Sequence, residues 1–285
     1  MDVLIVLMFT TPMALAALGE MIGQKAGVIN IGVEGTMLTG AFFAMMAAHA
    51  TGNPWVGLIA GTSAGLLVTL LGGWFSVKLG ADQVVVGTAI NLLALGLTSY
   101  LFRSKFGTSG QLLSLPGLPN WNRIDAVILF LLAGVPMAVW ALQKTRFGLA
   151  LRAAGEYPKA LEASGFSVAK VRLVAVAISG ILGGLAGAYL SLGVAQSFAE
   201  NMTSGRGFIA IAMVTFGRWR PSMVFGACLL VGFLDALQYR FQSLGFDVPF
   251  QLAIAMPYVV ALLVLALVGK GTVAPSALAR PYSKE

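Results

Sequence analysis

The sequence predicts an all-α fold: a polytopic bundle of transmembrane helices, about nine spans, with a short helix on the cytoplasmic face. Three observations predict it. The 285 residues are 58% hydrophobic and only 10% charged, and mean hydropathy is +0.87. A soluble domain of that composition could not hide its apolar surface and still present a charged exterior. Apolar runs long enough to cross a hydrocarbon layer, about 20 residues, recur from end to end. One polar stretch, Lys144 to Arg172, interrupts them with six basic residues against two acidic ones. A short loop rich in Lys and Arg stays in the cytoplasm, so this stretch orients every other span.

On that ruler the spans fall at roughly 3–22, 31–50, 55–77, 83–102, 125–143, 172–194, 205–217, 222–240 and 250–269. With 144–172 inside, the turn Lys78–Asp82, Lys25, the Arg218/Arg220 pair and the tail 270–285 also fall inside. The N-terminus, the turn at 49–54, the loop 103–124 and the segment 196–206 fall outside. Arg103, Lys105 and Arg123 in the outer loop run against the bias. The first residues, MDVLIVLM, lack the basic flank of a secretory signal, so the first span is expected to be retained.

Composition also excludes some functions. The net charge of +7 is scattered over span ends, which is how a membrane protein is anchored and gives no footprint for nucleic acid. One cysteine (Cys228) permits no internal disulfide, and one histidine (His49) is too few for a histidine-based metal site. No phosphate-binding loop is present; Gly269-Lys270-Gly271-Thr272 lacks the leading Gly and the Lys-Ser/Thr pair. No cofactor site is expected in this chain.

Within Lys144–Arg172 the centre reads as a helix of its own. Gly155 precedes it, Glu156 favours a helix start, Pro158 suits a first turn, and Gly165 ends it. It is either a loop resting on lipid head groups or a docking element for a cytosolic partner. Glycines four apart (Gly19/Gly23/Gly27, Gly57/Gly61/Gly65, Gly180/Gly184, Gly183/Gly187) predict helix faces that approach closely. The stretch Gly19–Gly35 holds five glycines and two carboxylates between two apolar runs. It reads as a surface turn or as broken helices beside a substrate path. The short run 207–219 invites the same reading, a half-helix that need not cross. Polar residues within spans are Glu20, Asn30, Glu34, Gln83, Asn91, Ser179, Asp235 and Gln238; each either lines an interior path or satisfies a neighbouring backbone.

Nearly the whole chain resembles the permease subunits of bacterial ABC importers, in the branch of branched-chain amino-acid, ribose and nucleoside permeases, and is most similar to the nucleoside type. The stretches 17–42, 81–101, 152–190 and 205–238 carry the likeness. It implies one transmembrane permease domain over 1–285 in the bacterial plasma (inner) membrane. It implies a coupling helix comprising Gly155, Glu156, Pro158, Ala160, Glu162, Ala163 and Gly165, seated in a cytosolic ABC ATPase that uses the ATP and Mg2+. The other implied partners are a second permease, expected to be a different chain, and an extracytoplasmic substrate-binding protein. The implied function is nucleoside import by alternating access, with no catalysis in this chain. The alternatives are a permease for a sugar such as ribose, or an ion-coupled secondary transporter motivated by Glu20, Glu34 and Asp235. For the substrate path the expected residues are Asn30, Glu34, Asn91 and Asp235, whose amides and carboxylates suit sugar hydroxyls and base edges.

Overall fold

The computed structural model of the chain describes residues 2–107, 114–121, 124–243, 259 and 273–282. Ten helices lie among them: α1 (Val3–Lys25), α2 (Val33–Thr51), α3 (Pro54–Gly73), α4 (Gln83–Phe106), α5 (Ala126–Lys144), α6 (Arg146–Glu156), α7 (Pro158–Ala163), α8 (Val168–Tyr189), α9 (Arg206–Phe216) and α10 (Pro221–Ser243). Wider π-type turns at Trp74–Lys78 and Leu190–Val194 extend α3 and α8. A minimal hairpin, Asn120–Trp121 with Ile124–Asp125, precedes α5.

Local chemistry sets most boundaries. Asn53 accepts from the Trp55 N–H at 2.9 Å to open α3, with Pro54 in the first turn. Asp82 opens α4 by accepting from Val84 and Val85, and Asp125 opens α5 by accepting from Val127 and Ile128. Gly52 ends α2 with φ +67°, a conformation that disfavours any side chain.

Helix α2 sits in the middle, against α3, α4, α8 and α9. The contacts that let it sit there are glycine contacts. The buried face of α3 is Gly57, Gly61, Gly65, Thr69, Gly72 and Gly73. A Cβ added at Gly65 or Gly61 would run into the backbone of Gly184 or Gly40, and one at Gly187 into the Met37 carbonyl. Backbones meeting this closely gain dispersion contacts without needing water to drive them together. By contrast α4, α5 and α10 bury only one side each, and their large exposed apolar residues (Leu92, Leu93, Phe130, Phe233) face outward.

Among the described residues, six helices are long and apolar enough to cross a membrane: α1, α3, α4, α5, α8 and α10. Three of the nine expected spans, 31–50, 205–217 and 250–269, are not among these six. Helix α2 is long enough but carries Glu34, Thr36 and Thr39 in its first half, tolerable because they are buried against protein. Helix α9 has only 11 residues, about 16 Å, half a hydrocarbon layer. The run 250–269 lies outside the described residues apart from Val259. A correction concerns 144–172. It contains two helices: Thr145 caps α6 by accepting from the Gly148 N–H at 3.1 Å, and α6 runs through Glu156. Gly155 and Glu156 therefore close α6, and the short helix opens at Pro158.

The two ends of the bundle are distinct. At one end, Arg103 pairs with Glu200 through two hydrogen bonds of 2.8 Å, which hold the Glu200 carboxyl below its usual range. Leu115 N–H donates to the Gln196 carbonyl there. The other end gathers α6, α7, the start of α8, the end of α1 and residues 273–282.

Gly187→Ala should lower the melting temperature of the detergent-solubilised protein, because its Cβ meets backbone that no rotamer change can relieve, at about 1–3 kcal/mol. Gly226→Ala on α10, whose Cβ meets open space, should leave it unchanged.

Candidate functional site

The chain leaves helix between Lys25 and Val33, in surroundings that offer its backbone little water. Those groups are satisfied by side chains sent in from two helices, α1 and α4. Glu20 Oε1 accepts from the Asn30 N–H (3.0 Å) and from Gln24 Nε2 (2.9 Å). Gln83 Oε1 accepts from the Ile29 N–H at 2.8 Å. Asn91 uses both ends of its amide: Oδ1 accepts from the Gly35 N–H (2.8 Å) and Nδ2 donates to the Ile31 carbonyl (3.0 Å). The break climbs into the bundle. Ala26 lies level with Arg172 and Thr36 level with Gly183, a rise along α8 of roughly 16 Å.

At the top of that climb α2 begins, and a second interruption meets it. Glu34 Oε1 accepts from the Gly205 N–H at 2.7 Å and Oε2 from the Gly207 N–H at 2.6 Å. One carboxylate thus closes the exposed N–H groups at the start of α9 and sits at its positive end. Gly207 is needed there, since a Cβ would press into the Glu34 backbone. Arg206 in the same turn lies 3.7 Å from Asp235 of α10 and donates to the Met202 carbonyl. From Glu34, α9 runs to Trp219, whose indole N–H donates to Gln24 Oε1 at 2.7 Å. Arg218 and Trp219 both hold positive φ (49° and 53°), a strained turn for non-glycine residues.

The structure therefore brings all four residues expected on the path into one connected set, running Asp235–Arg206–α9–Glu34–Gly35–Asn91–Ile31–Asn30–Glu20. Asn91 and Glu34 serve backbone within it. Asn30 Nδ2 and Gln83 Nε2 have no partner among the described residues. A cavity of about 20 Å3 beside them, lined also by Ser76 and Thr69, has room for one water molecule. Ser179 lies buried against Gly19, and Gln238 is half-buried on α10. Gln24, Arg206 and Trp219 belong to the set and were not singled out from sequence. Arg206, placed just before a short apolar run, was the available signal.

A second feature lies at the α6–α7 end. Arg172, only 2% exposed, donates to carbonyls of three segments: Ala26 at the end of α1 (3.1 Å), Ala154 near the end of α6 (3.4 Å) and Arg280 (2.8 Å). Two helix C-termini, each carrying partial negative charge, converge on one cation. Gly155 permits the convergence, as a Cβ there would overlap the Lys25 carbonyl. Of the residues expected in the docking helix, Pro158, Ala160, Glu162 and Ala163 form α7, and Gly165 follows with φ +88°. Leu161 is buried with Ala154 and Val168. Ala160 and Ala163 point outward, flanked by Tyr157 (73% exposed) and Phe166 (54% exposed).

The family model for the branched-chain amino acid transport system permease component matches residues 3–269. A guanosine ABC transporter permease of Bacillus subtilis, NupQ, is 35% identical over 98% of this chain and 95% of its own. A nucleoside ABC transporter permease of Lactococcus lactis, NupC, is 32% identical over 98% and 95%. A Haloferax volcanii permease provisionally named for glucose is 37% identical over 82% and 76%. No solved structure matches the chain significantly.

Glu34→Gln should turn one acceptor into a donor facing an N–H and cost about 1–3 kcal/mol. Asn91→Ala should strand the Gly35 N–H and the Ile31 carbonyl at similar cost. Both should appear as lower melting temperatures of the purified protein; a residue that touched only substrate would leave the melt unchanged.

Proposed function

The chain belongs to the branched-chain amino acid transport permease family as an ABC permease component, and we propose that it forms half of the translocation path of a nucleoside importer. The observation that carries the proposal is the meeting of two broken stretches of backbone at Glu34, inside the bundle. Irregular backbone at that depth survives where protein or a water-filled cavity surrounds it, and such breaks flank substrate paths. Asn30, Glu34, Asn91 and Asp235, with Arg206, then form one wall of the path. The second wall is a second permease, expected to be a different chain. Amide and carboxylate groups suit ribose hydroxyls and the edges of a base.

The energy comes from a cytosolic ATPase, which binds ATP with Mg2+. It docks on the exposed face of α6–α7, where Tyr157, Ala160, Ala163 and Phe166 offer an apolar surface with two aromatic anchors. An extracytoplasmic binding protein delivers substrate at the Arg103–Glu200 end. This orientation puts the N-terminus outside and residues 273–282 in the cytoplasm of a bacterial inner membrane, in keeping with the basic content of 144–172. The choice of a nucleoside rests on the relatives named for guanosine and nucleosides. The relative named for glucose supports a second reading, in which the cargo is a sugar.

The complex should be reconstituted with its ATPase, second permease and binding protein in proteoliposomes, and uptake of radiolabelled guanosine and glucose measured with and without internal ATP. ATP-dependent guanosine uptake is expected; glucose uptake alone would change the cargo, and uptake indifferent to ATP would sink the importer reading. Tyr157→Ala and Phe166→Ala should each weaken ATPase docking and cut uptake about tenfold, with the melting temperature of the permease unchanged because both side chains are exposed.

A further inference from the structure

We infer that residues 273–282 form a strap that ties the α6–α7 surface to the break after α1, so that displacement of one is carried to the other; this rests on the transport reading above. Helix α7 has six residues, too few to hold its shape alone. Among the described helices it packs chiefly on α6 and α8. The strap supplies the remaining attachments. Ser276 donates its N–H to Glu156 Oε2 (3.2 Å) and its hydroxyl to the Glu156 carbonyl (2.5 Å). The Ala277 N–H donates to the Gly155 carbonyl at 2.8 Å. Tyr282 packs on the Ala154/Leu161/Val168 cluster and donates its hydroxyl to Glu162 Oε2 at 2.5 Å. These bonds grip both α6 and α7.

The same ten residues also grip the other side. The Ala279 N–H donates to the Gly27 carbonyl at 3.1 Å, inside the break. The Arg280 carbonyl accepts from Arg172, whose guanidinium also holds Ala26. Leu278 packs against the main core. Gly27 has φ +89°, and a Cβ there would stand 3.0 Å from the Ala277 carbonyl and 2.8 Å from the Arg172 guanidinium, so the approach is close. From Gly27 the path to Glu34 is seven residues of chain, pinned by Glu20, Gln83 and Asn91. A push on α7 thus reaches the base of the broken segment through hydrogen bonds and packed side chains, without crossing a gap. The strap is a positioning element for the transport cycle; it touches no substrate.

The test uses the reconstituted complex and measures guanosine moved per ATP hydrolysed. That ratio is insensitive to how much complex is present and so separates coupling from mere folding. In a variant lacking residues 273–285, ATP hydrolysis by the assembled complex should persist while the ratio falls roughly tenfold. The double variant S276A/Y282F, which keeps the strap backbone, should lose roughly threefold. An unchanged ratio in the truncated chain overturns the strap. If truncation prevents co-purification with the ATPase, an unchanged ratio in S276A/Y282F overturns it instead. The unaltered complex, run alongside, separates the two proposals: ATP-independent uptake by it defeats the transport reading, and the strap with it.

Discussion

A peptide backbone that leaves helix inside an apolar bundle must find hydrogen-bond partners there, and an unpaired group costs several kcal/mol. The segment between Lys25 and Val33 lives under that constraint, and the rest of the structure is arranged to meet it. Glu20, Gln83 and Asn91 come from two different helices to pair with the N–H of Asn30, Ile29 and Gly35 and the carbonyl of Ile31. Arg172 takes the Ala26 carbonyl where the helix ends. Glu34 passes the same service on to the first turn of α9. Removing the break would leave these polar side chains with nothing to do in the middle of an apolar protein.

Such side chains reach their targets only if helices lie close, and that explains the glycines. Asn91 is a short residue; for its amide to span Ile31 and Gly35, α4 must sit almost in contact with the start of α2. Gly35 and Gly87 provide this, since a Cβ at either would strike the opposing backbone. The α2–α3–α8 seam does the same chiefly by backbone contact, through Gly40, Gly61, Gly65, Gly184 and Gly187, with the Thr36 and Thr69 hydroxyls bonded across it at 2.8 Å. The two kinds of contact differ mechanically. The seam interlocks backbone with backbone and cannot slide without overlap. The break is held by side chains whose rotamers can change.

Much of this was legible in the sequence because it is written in local pattern. Composition and long apolar runs specify a membrane bundle, four-residue glycine spacing specifies close helix faces, and Gly165 marks the end of the short helix, though local pattern puts its start at Gly155–Glu156 and it lies at Pro158. Polar residues among apolar ones marked Asn30, Glu34, Asn91 and Asp235 as interior. What local pattern does not hold is pairing over distance. Glu34 meets Gly205 and Gly207 across 171 and 173 residues, and Arg172 meets Ala26 across 146; nothing near either residue announces its partner. Counting apolar runs treats every run as lipid-facing, so α2 and α9 enter the count of crossings, although the shortness of α9 also reads as a half-helix. Hydropathy reports how apolar a helix is, while its neighbours decide how apolar it needs to be. Helix α6 went unread because Arg146, Arg152 and Glu156 break it up as an apolar run, which suits a helix lying along the end of the bundle.

The distribution of firm and adjustable contacts bears on how an alternating-access cycle could run through this fold. A subunit that moved as one rigid block would need no broken helices. One that moved everywhere would expose buried polar groups at each step. Here the glycine seam fixes α2, α3 and α8 as a frame, and the hydrogen-bonded segments 26–32 and 196–207 lie beside it. Glu20, Gln83 and Asn91 bond to backbone of the break, and backbone offers further N–H and carbonyl groups one residue along. The network can therefore be remade in a shifted register with its groups still paired, at a cost set by rotamers and not by stranded charges. Arg172 has the same freedom, with five donors on its guanidinium and carbonyls from three segments around it. On the proposed cycle, motion belongs to the segments whose hydrogen bonds can be exchanged, and the frame they move against is the part of the chain where glycine leaves no room.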